Sequence, residues 1–174
     1  MTHPEKIRLV VADEQPVVLL GLQIWFEARG RYEVVASATR GEQLLAKLAA
    51  ATSELIVMDC ALDARARRGA DRFATLRAVR ERYPDTPVVA LTSDTHPRTL
   101  REILCEGVEG VASAYDDLKE LGRVCERVLS GVKGVTSRGI DACLAIRDED
   151  SPAAFNSNMI YREVRVSVTS RTVM

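Results

Sequence analysis

The sequence predicts an α/β protein, a three-layer sandwich of parallel strands with helices on both faces, and three observations carry that prediction. Short apolar runs rich in β-branched residues alternate with stretches of helical character. The pair recurs five times along the chain, and turn residues fall between the elements rather than inside them. A parallel sheet produces this alternation, because each crossover must return over a face of the sheet and usually does so as a helix.

The elements follow in order. "IRLVVA" from Ile7 is a short apolar run with Val10 and Val11, which fits a strand buried on both faces better than a helix. About Pro16–Arg29 reads as a helix with Val18, Leu22 and Trp25 as its inward stripe, and Gly30 ends it. "YEVVASA" is the second strand and about Glu42–Ala51 the second helix. "ELIVMDC" holds the third strand, Leu55–Asp59, followed by a helix from Arg72 to Arg82. The "YPDTP" turn leads into "PVVALT", then a helix near Arg98–Glu106. Gly107 and Gly110 bracket the entry to "GVASA", the fifth strand, and Asp116–Leu129 is the last long helix.

The compact unit is expected to close near Gly131, giving a domain over residues 1–134 and a C-terminal extension over 135–174. In that extension "KGVTSRGIDACLAIRDED" reads as a short helix and "SPAAFNSN" as a linker. "YREVRVSVTSRTV" alternates Val164, Val166 and Val168 with polar residues, which suits an added edge strand or hairpin; a disordered tail is the other reading.

Composition narrows the function classes. Of the 174 residues 47% are apolar, enough for a core, and 24 basic against 25 acidic side chains give no bulk attraction to nucleic acid or an acidic membrane. The longest apolar stretch, Pro16–Phe26, is shorter than the roughly 18 residues of a membrane span, and the start lacks a signal-peptide pattern. A cytoplasmic protein is expected. Cys60, Cys105, Cys125 and Cys143 form no CxxC pair and have no histidine at metal spacing, so reduced thiols are expected and zinc is not. Cys60 reads as an apolar filler. His3 and His96 are isolated and take no catalytic or ligand role.

Three strand ends carry oxygen groups: Asp13 with Glu14, Asp59, and Thr92. In the flavodoxin-like strand order 2-1-3-4-5, strands 1 and 3 are neighbours at the switch point, so Asp13, Glu14 and Asp59 would crowd together with Thr92 one strand away. Crowded carboxylates raise one another's pKa unless a cation sits among them, and magnesium suits such ligands. An aspartate can also accept a phosphoryl group, whose transfer depends mainly on positioning and charge neutralisation. Polar strand ends and helix caps are the plain alternative for each acid, and a loop cap for Thr92.

"IRLVVADEQPVV", "ELIVMDC", "PDTPVVALTS" and "GVEGVAS", in that order, resemble the receiver domain of two-component response regulators over about Ile7 to Gly134. The likeness is greatest to receivers of LuxR/NarL-type and RcsB-like regulators. It implies a CheY-like signalling domain rather than an enzyme. Asp59 would be the phosphoacceptor, served by a histidine kinase or phosphotransfer protein. Asp13, Glu14, Asp59 and the backbone carbonyl of Ala61 would hold Mg2+, and Thr92 would be the switch hydroxyl.

Departures from the family pattern bear on that expectation. Ala114 stands where the family has a lysine at the end of the fifth strand, and Val111 at its aromatic switch position. The loop "CALDARARRGAD" is long and lacks proline. Its Arg65, Arg67 and Arg68 would replace the lysine, meet a partner's acids, or simply solvate the loop. The segment after the short C-terminal helix cannot supply a helix-turn-helix unit with its supporting helices, so no direct nucleic-acid contact is expected from this chain. On the first helix Leu20 and Ile24 fall off the inward stripe, a candidate interface for a homodimer or a heterodimer with another regulator; packing under a neighbouring helix or the tail is the alternative. Two functions compete, a phosphorylatable receiver and a pseudo-receiver that works as an interaction or dimerisation module without phosphorylation. A nucleotide- or flavin-binding enzyme on this fold ranks behind both, since "ADEQP" after the first strand is acidic and has no glycine-rich phosphate loop.

Overall fold

A computed structural model describes residues 5–64 and 71–146. His3, Arg65, Arg67, Arg68, the expected linker and the alternating valines of the C-terminal segment lie outside the described residues. The elements are β1 (Ile7–Ala12), α1 (Pro16–Glu27), β2 (Tyr32–Ala38), α2 (Gly41–Ala50), β3 (Leu55–Asp59), α3 (Ala74–Arg82), β4 (Val88–Thr92), α4 (Pro97–Cys105), β5 (Gly110–Ser113), α5 (Leu118–Leu129), β6 (Val135–Thr136) and α6 (Arg138–Ala145). All strand pairs are parallel, in the order β2-β1-β3-β4-β5-β6. This is the expected flavodoxin-like sheet with one more strand.

The period of two along each strand divides the core. Leu9 and Val11 join Val57, Leu91 and Ala112 beneath α1 and α5, while Val10 and Ala12 join Met58, Ala90 and Val111 beneath α2, α3, α4 and α6. Strands covered on both faces explain the uninterrupted apolar runs. Local signals set the helix ends. Pro16 and Pro97 occupy first turns, where no N–H is required, and the chain leaves α1 and α4 through Gly30 and Gly107 at φ 67° and 78°. His96 caps α4 by accepting the Arg98 N–H at its Nδ1, a structural role that its isolation in the sequence concealed.

Two expectations change. The stripe that α1 buries is Leu19, Leu22 and Phe26; Val18 and Trp25 lie at its flank. The reason is α5, which approaches so closely that a Cβ on Gly122 would stand 2.5 Å from Trp25 Cη2, so the indole packs sideways against α5 rather than down onto the sheet. The sheet also continues past Gly134. Val135 and Thr136 pair with Gly110 and Val111, Ser137 is fully buried with its Oγ accepting the Ser113 N–H at 3.1 Å, and Ile140 is 1% exposed in the core beneath α4 and α6. The expected short helix is α6, and it belongs to the compact unit.

Among the described residues no helix is long and apolar enough to cross a membrane. The four thiols are free, with Cys60 and Cys125 buried and Cys105 exposed. Burial pushes the Cys60 thiol up to about 12, opposed by a hydrogen bond with Thr92, and the nearby Asp59 charge adds a smaller push upward. Burial raises Cys125 as well. A raised folded-state pKa favours the native state fully below the unfolded value near 9, and that contribution is lost as pH rises toward about 12. At neutral pH a thiol reagent should therefore label Cys105 in the native protein and leave Cys60 and Cys125 unmodified. Stability measured by urea unfolding should fall between about pH 9 and 12. Prompt labelling of Cys60 in the folded protein would refute this.

Candidate functional site

The register carries three polar groups to one edge of the sheet. Ala12 pairs with Met58, so Asp13 emerges beside Asp59; Asp59 pairs with Leu91, so Thr92 emerges on its other side. Each strand end then turns. The Asp13 carboxylate accepts the Gln15 N–H at 2.8 Å and Asp59 accepts the Ala61 N–H at 2.9 Å. Thr92 Oγ1 accepts the Asp94 N–H at 3.0 Å. These two-residue turns tie each side chain to its own loop and fix where it stands.

Two cavities open on either side of Asp59. The tighter, about 150 Å³, lies toward α1 and α5 and is lined by Asp13, Asp59, Thr92, Ala114 and Asp116, with Val18, Leu22, Leu118 and Leu121 as its apolar wall. The second, about 510 Å³ and more open, lies toward α3 and is lined by Glu14, Asp59, Ala61, Arg72, Thr92 and Asp94 among others. Asp59 and Thr92 face both.

The three expected acids are not drawn to one point. Glu14 Oε1 accepts the N–H of Asp63 at 2.9 Å. Asp63 sits at φ 69°, and its own carboxylate takes the Gly41 N–H at 2.8 Å at the start of α2. The Asp63 loop thus holds Glu14 on the α3 side. Among the described residues no three His, Cys, Asp or Glu side chains converge to hold a metal. Asp13 and Asp59 do share a cavity, and Asp13 is only 9% exposed. That pair fits magnesium, which takes one or two carboxylates and keeps several waters. The Ala61 carbonyl accepts the Ala64 N–H at 2.9 Å and retains a second lone pair.

The departures have structural consequences. Ala114 donates its N–H to the Thr92 carbonyl at 2.8 Å, which fixes it at the cavity rim with no charge to offer. Val111 is fully buried in the core beneath α4 and α6. On α1, Val17, Leu20 and Ile24 stand 72%, 58% and 61% exposed on one face.

Sequence reasoning missed three members of this region. Arg72 and Asp94 line the α3-side cavity and pair across 3.3 Å, and Asp63 braces Glu14. "TSDTHP" did carry a signal for Asp94, an aspartate just before a proline-started helix. Arg72 had none: it reads as the first residue of the third helix, whereas α3 begins at Ala74 and leaves Arg72 in the preceding turn.

The sequence matches the response regulator receiver domain over residues 9–121. Over 87 residues it is 28% identical to the uncharacterized transcriptional regulatory protein YhcZ of Bacillus subtilis (strain 168), covering 50% of this chain and 38% of that one. The fold is similar to the isolated REC domain of RcsB from Salmonella enterica serovar Typhimurium, at TM-score 0.69 and 19% identity over 80% of this chain and 99% of that one. It is also similar to a LuxR-family two-component response regulator from Aurantimonas sp. SI85-9A1, at TM-score 0.70 and 23% identity over 81% and 96%. The chain therefore spans well under half the length of the curated relative it matches. A match that runs from the first strand into the last long helix covers more than half of the chain and all of the strand ends around Asp59, and so the chain belongs to the response regulator receiver domain family.

Proposed function

We propose that this receiver works in a two-component phosphorelay, with Asp59 accepting a phosphoryl group from a histidine kinase or phosphotransfer protein. The observation that carries this reading is the position of Asp59: it ends β3, faces two cavities, and has Asp13 on one neighbouring strand and Thr92 on the other. A carboxylate oxygen of Asp59 attacks phosphorus while the bond to the donor breaks. Thr92 Oγ1 stands where its O–H can donate to a phosphoryl oxygen while the oxygen still accepts the Asp94 N–H. Asp13 and Asp59, with the Ala61 carbonyl and with Glu14 through water, would hold Mg2+, which when bound offsets the charge of the phosphoryl group. RcsB has been solved with the phosphomimetic BeF3−, and that precedent supports the same chemistry here.

A second reading, a pseudo-receiver acting as an interaction module, is favoured by Ala114 and Val111. Intact mass after incubation with magnesium and a small phosphodonor separates the two. The expected result is one added phosphoryl group on the wild type and none on Asp59→Asn; an unmodified wild type favours the pseudo-receiver.

Output runs through protein contacts, and Val17, Leu20 and Ile24 supply an apolar face for a second copy or another regulator. RcsB dimers have been seen on DNA, which supports self-association as the form to test first. Sedimentation should show a dimer for the wild type and a monomer for Leu20→Glu, Ile24→Glu. Identical behaviour of the two proteins would remove this face from self-association.

A further inference from the structure

A phosphoryl group on Asp59 adds roughly two negative charges to an edge that already holds Asp13, Glu14 and Asp94. A cation from the protein beside the metal would offset that charge, and Ala114 cannot supply one. Among the described residues lining the two cavities that open on Asp59, one side chain is cationic: Arg72, on the α3 side with Asp59 and Thr92. We propose that Arg72 is the protein's phosphoryl-binding cation and that Asp94 is its resting partner. This rests on the reading of Asp59 as phosphoacceptor.

The resting contact is suited to exchange. Arg72 Nη2 meets Asp94 Oδ2 at 3.3 Å, with the Arg72 side chain 45% exposed, a long surface pair of small worth. A guanidinium offers a planar fork that matches the oxygens of a phosphoryl group better than one carboxylate oxygen at that range. Asp94 is also joined to the Thr92 hydroxyl beside Asp59, since its N–H donates to Thr92 Oγ1 at 3.0 Å, and its Oδ1 accepts the His96 N–H at 2.8 Å at the start of α4. When Arg72 turns to the phosphoryl oxygens, Asp94 loses its charged partner, while Thr92 donates its O–H to the same group and still accepts the Asp94 N–H, so both act on one turn. The β4–α4 turn, and not the end of β5, then feels the modification first.

Calorimetric titration of the full chain with beryllofluoride and magnesium tests the assignment, using wild type, Arg72→Gln, Arg72→Lys and Asp94→Asn. Asn keeps the acceptor for the His96 N–H and removes the charge that competes for Arg72. The expected result is tenfold or greater weakening in Arg72→Gln, a smaller loss in Arg72→Lys, and tightening of about threefold in Asp94→Asn. The Arg72 Nε–H resonance of the wild type should also shift on addition of beryllofluoride. If Arg72 merely braces the loop through Asp94, Arg72→Gln and Asp94→Asn break the same contact and shift affinity in the same direction, which overturns the proposal. Equal affinity of wild type and Arg72→Gln overturns it too and leaves Asp59 as acceptor. A wild type that binds no beryllofluoride overturns both.

Discussion

Ending the chain at Gly134 is expected to lower its unfolding free energy by about 3 kcal/mol, from the burial that β6 and α6 contribute less the cost of ordering them. The segment buries Val135 to 3% and Ile140 to 1% exposure, and Ser137 completely. Its removal also bares the surfaces these residues cover, including Leu100, Ile103 and Val111 of the core they share. It opens the β5 edge as well: the Val135 N–H donates to the Glu109 carbonyl at 3.0 Å, the Ser137 N–H donates to the Val111 carbonyl at 3.0 Å, and Ser137 Oγ takes the Ser113 N–H. Side chains stitch the same seam. Arg123 donates to the Thr136 carbonyl at 2.8 Å, and the Asp116 carboxylate accepts the Gly139 N–H at 3.2 Å. Urea unfolding of the full chain and of the chain ending at Gly134 measures the difference. Ile140→Ala in the full chain should cost about 2 kcal/mol or more, limited by the free energy of docking the segment. Equal midpoints for all three proteins would mean that the compact unit does close before β6.

That boundary shows what kind of information the sequence holds openly. Strands buried on both faces leave uninterrupted apolar runs, so β1 and β3 could be read to the residue. A strand of two residues leaves no run at all, and "VTS" gave no sign that Val135 and Ser137 complete an edge. Only the geometry of β5, with free groups to pair, explains it. The site divides in the same way. Acids at strand ends were legible because the sheet's parallel register places such ends side by side, and Asp13, Asp59 and Thr92 do meet there. Glu14 was expected with them, but its orientation depends on the Asp63 N–H, forty-nine positions away along the chain, in a left-handed conformation that glycine-free sequence does not announce. Arg72 is similar: its importance lies in which cavity it enters, and no local pattern encodes that.

Ala114→Lys is expected to make the domain more responsive to modification at Asp59. In the wild type, beryllofluoride should change hydrogen-exchange protection of β5 by less than about threefold, because such a change corresponds to under about 0.7 kcal/mol and nothing at the end of β5 engages the new charge. The Thr92 side chain can move, but Val111, small and fully buried, offers no ring to follow it. A lysine at 114 would enter the cavity of about 150 Å³ that Ala114 shares with Asp59, its stem along Leu118 and Leu121 and its ammonium at the carboxylates. Charge-assisted contacts of this kind are worth roughly 1.5–3 kcal/mol. That is enough to bias a two-state element whose conformers differ by a few kcal/mol, so the variant should show a beryllofluoride effect of tenfold or more. Because Ala114 N–H is held by the Thr92 carbonyl, that pull would act on β4 and β5 together. If the wild type already responds tenfold, about 1.4 kcal/mol, the pseudo-receiver reading falls and the Arg72–Asp94 contact carries the switch alone.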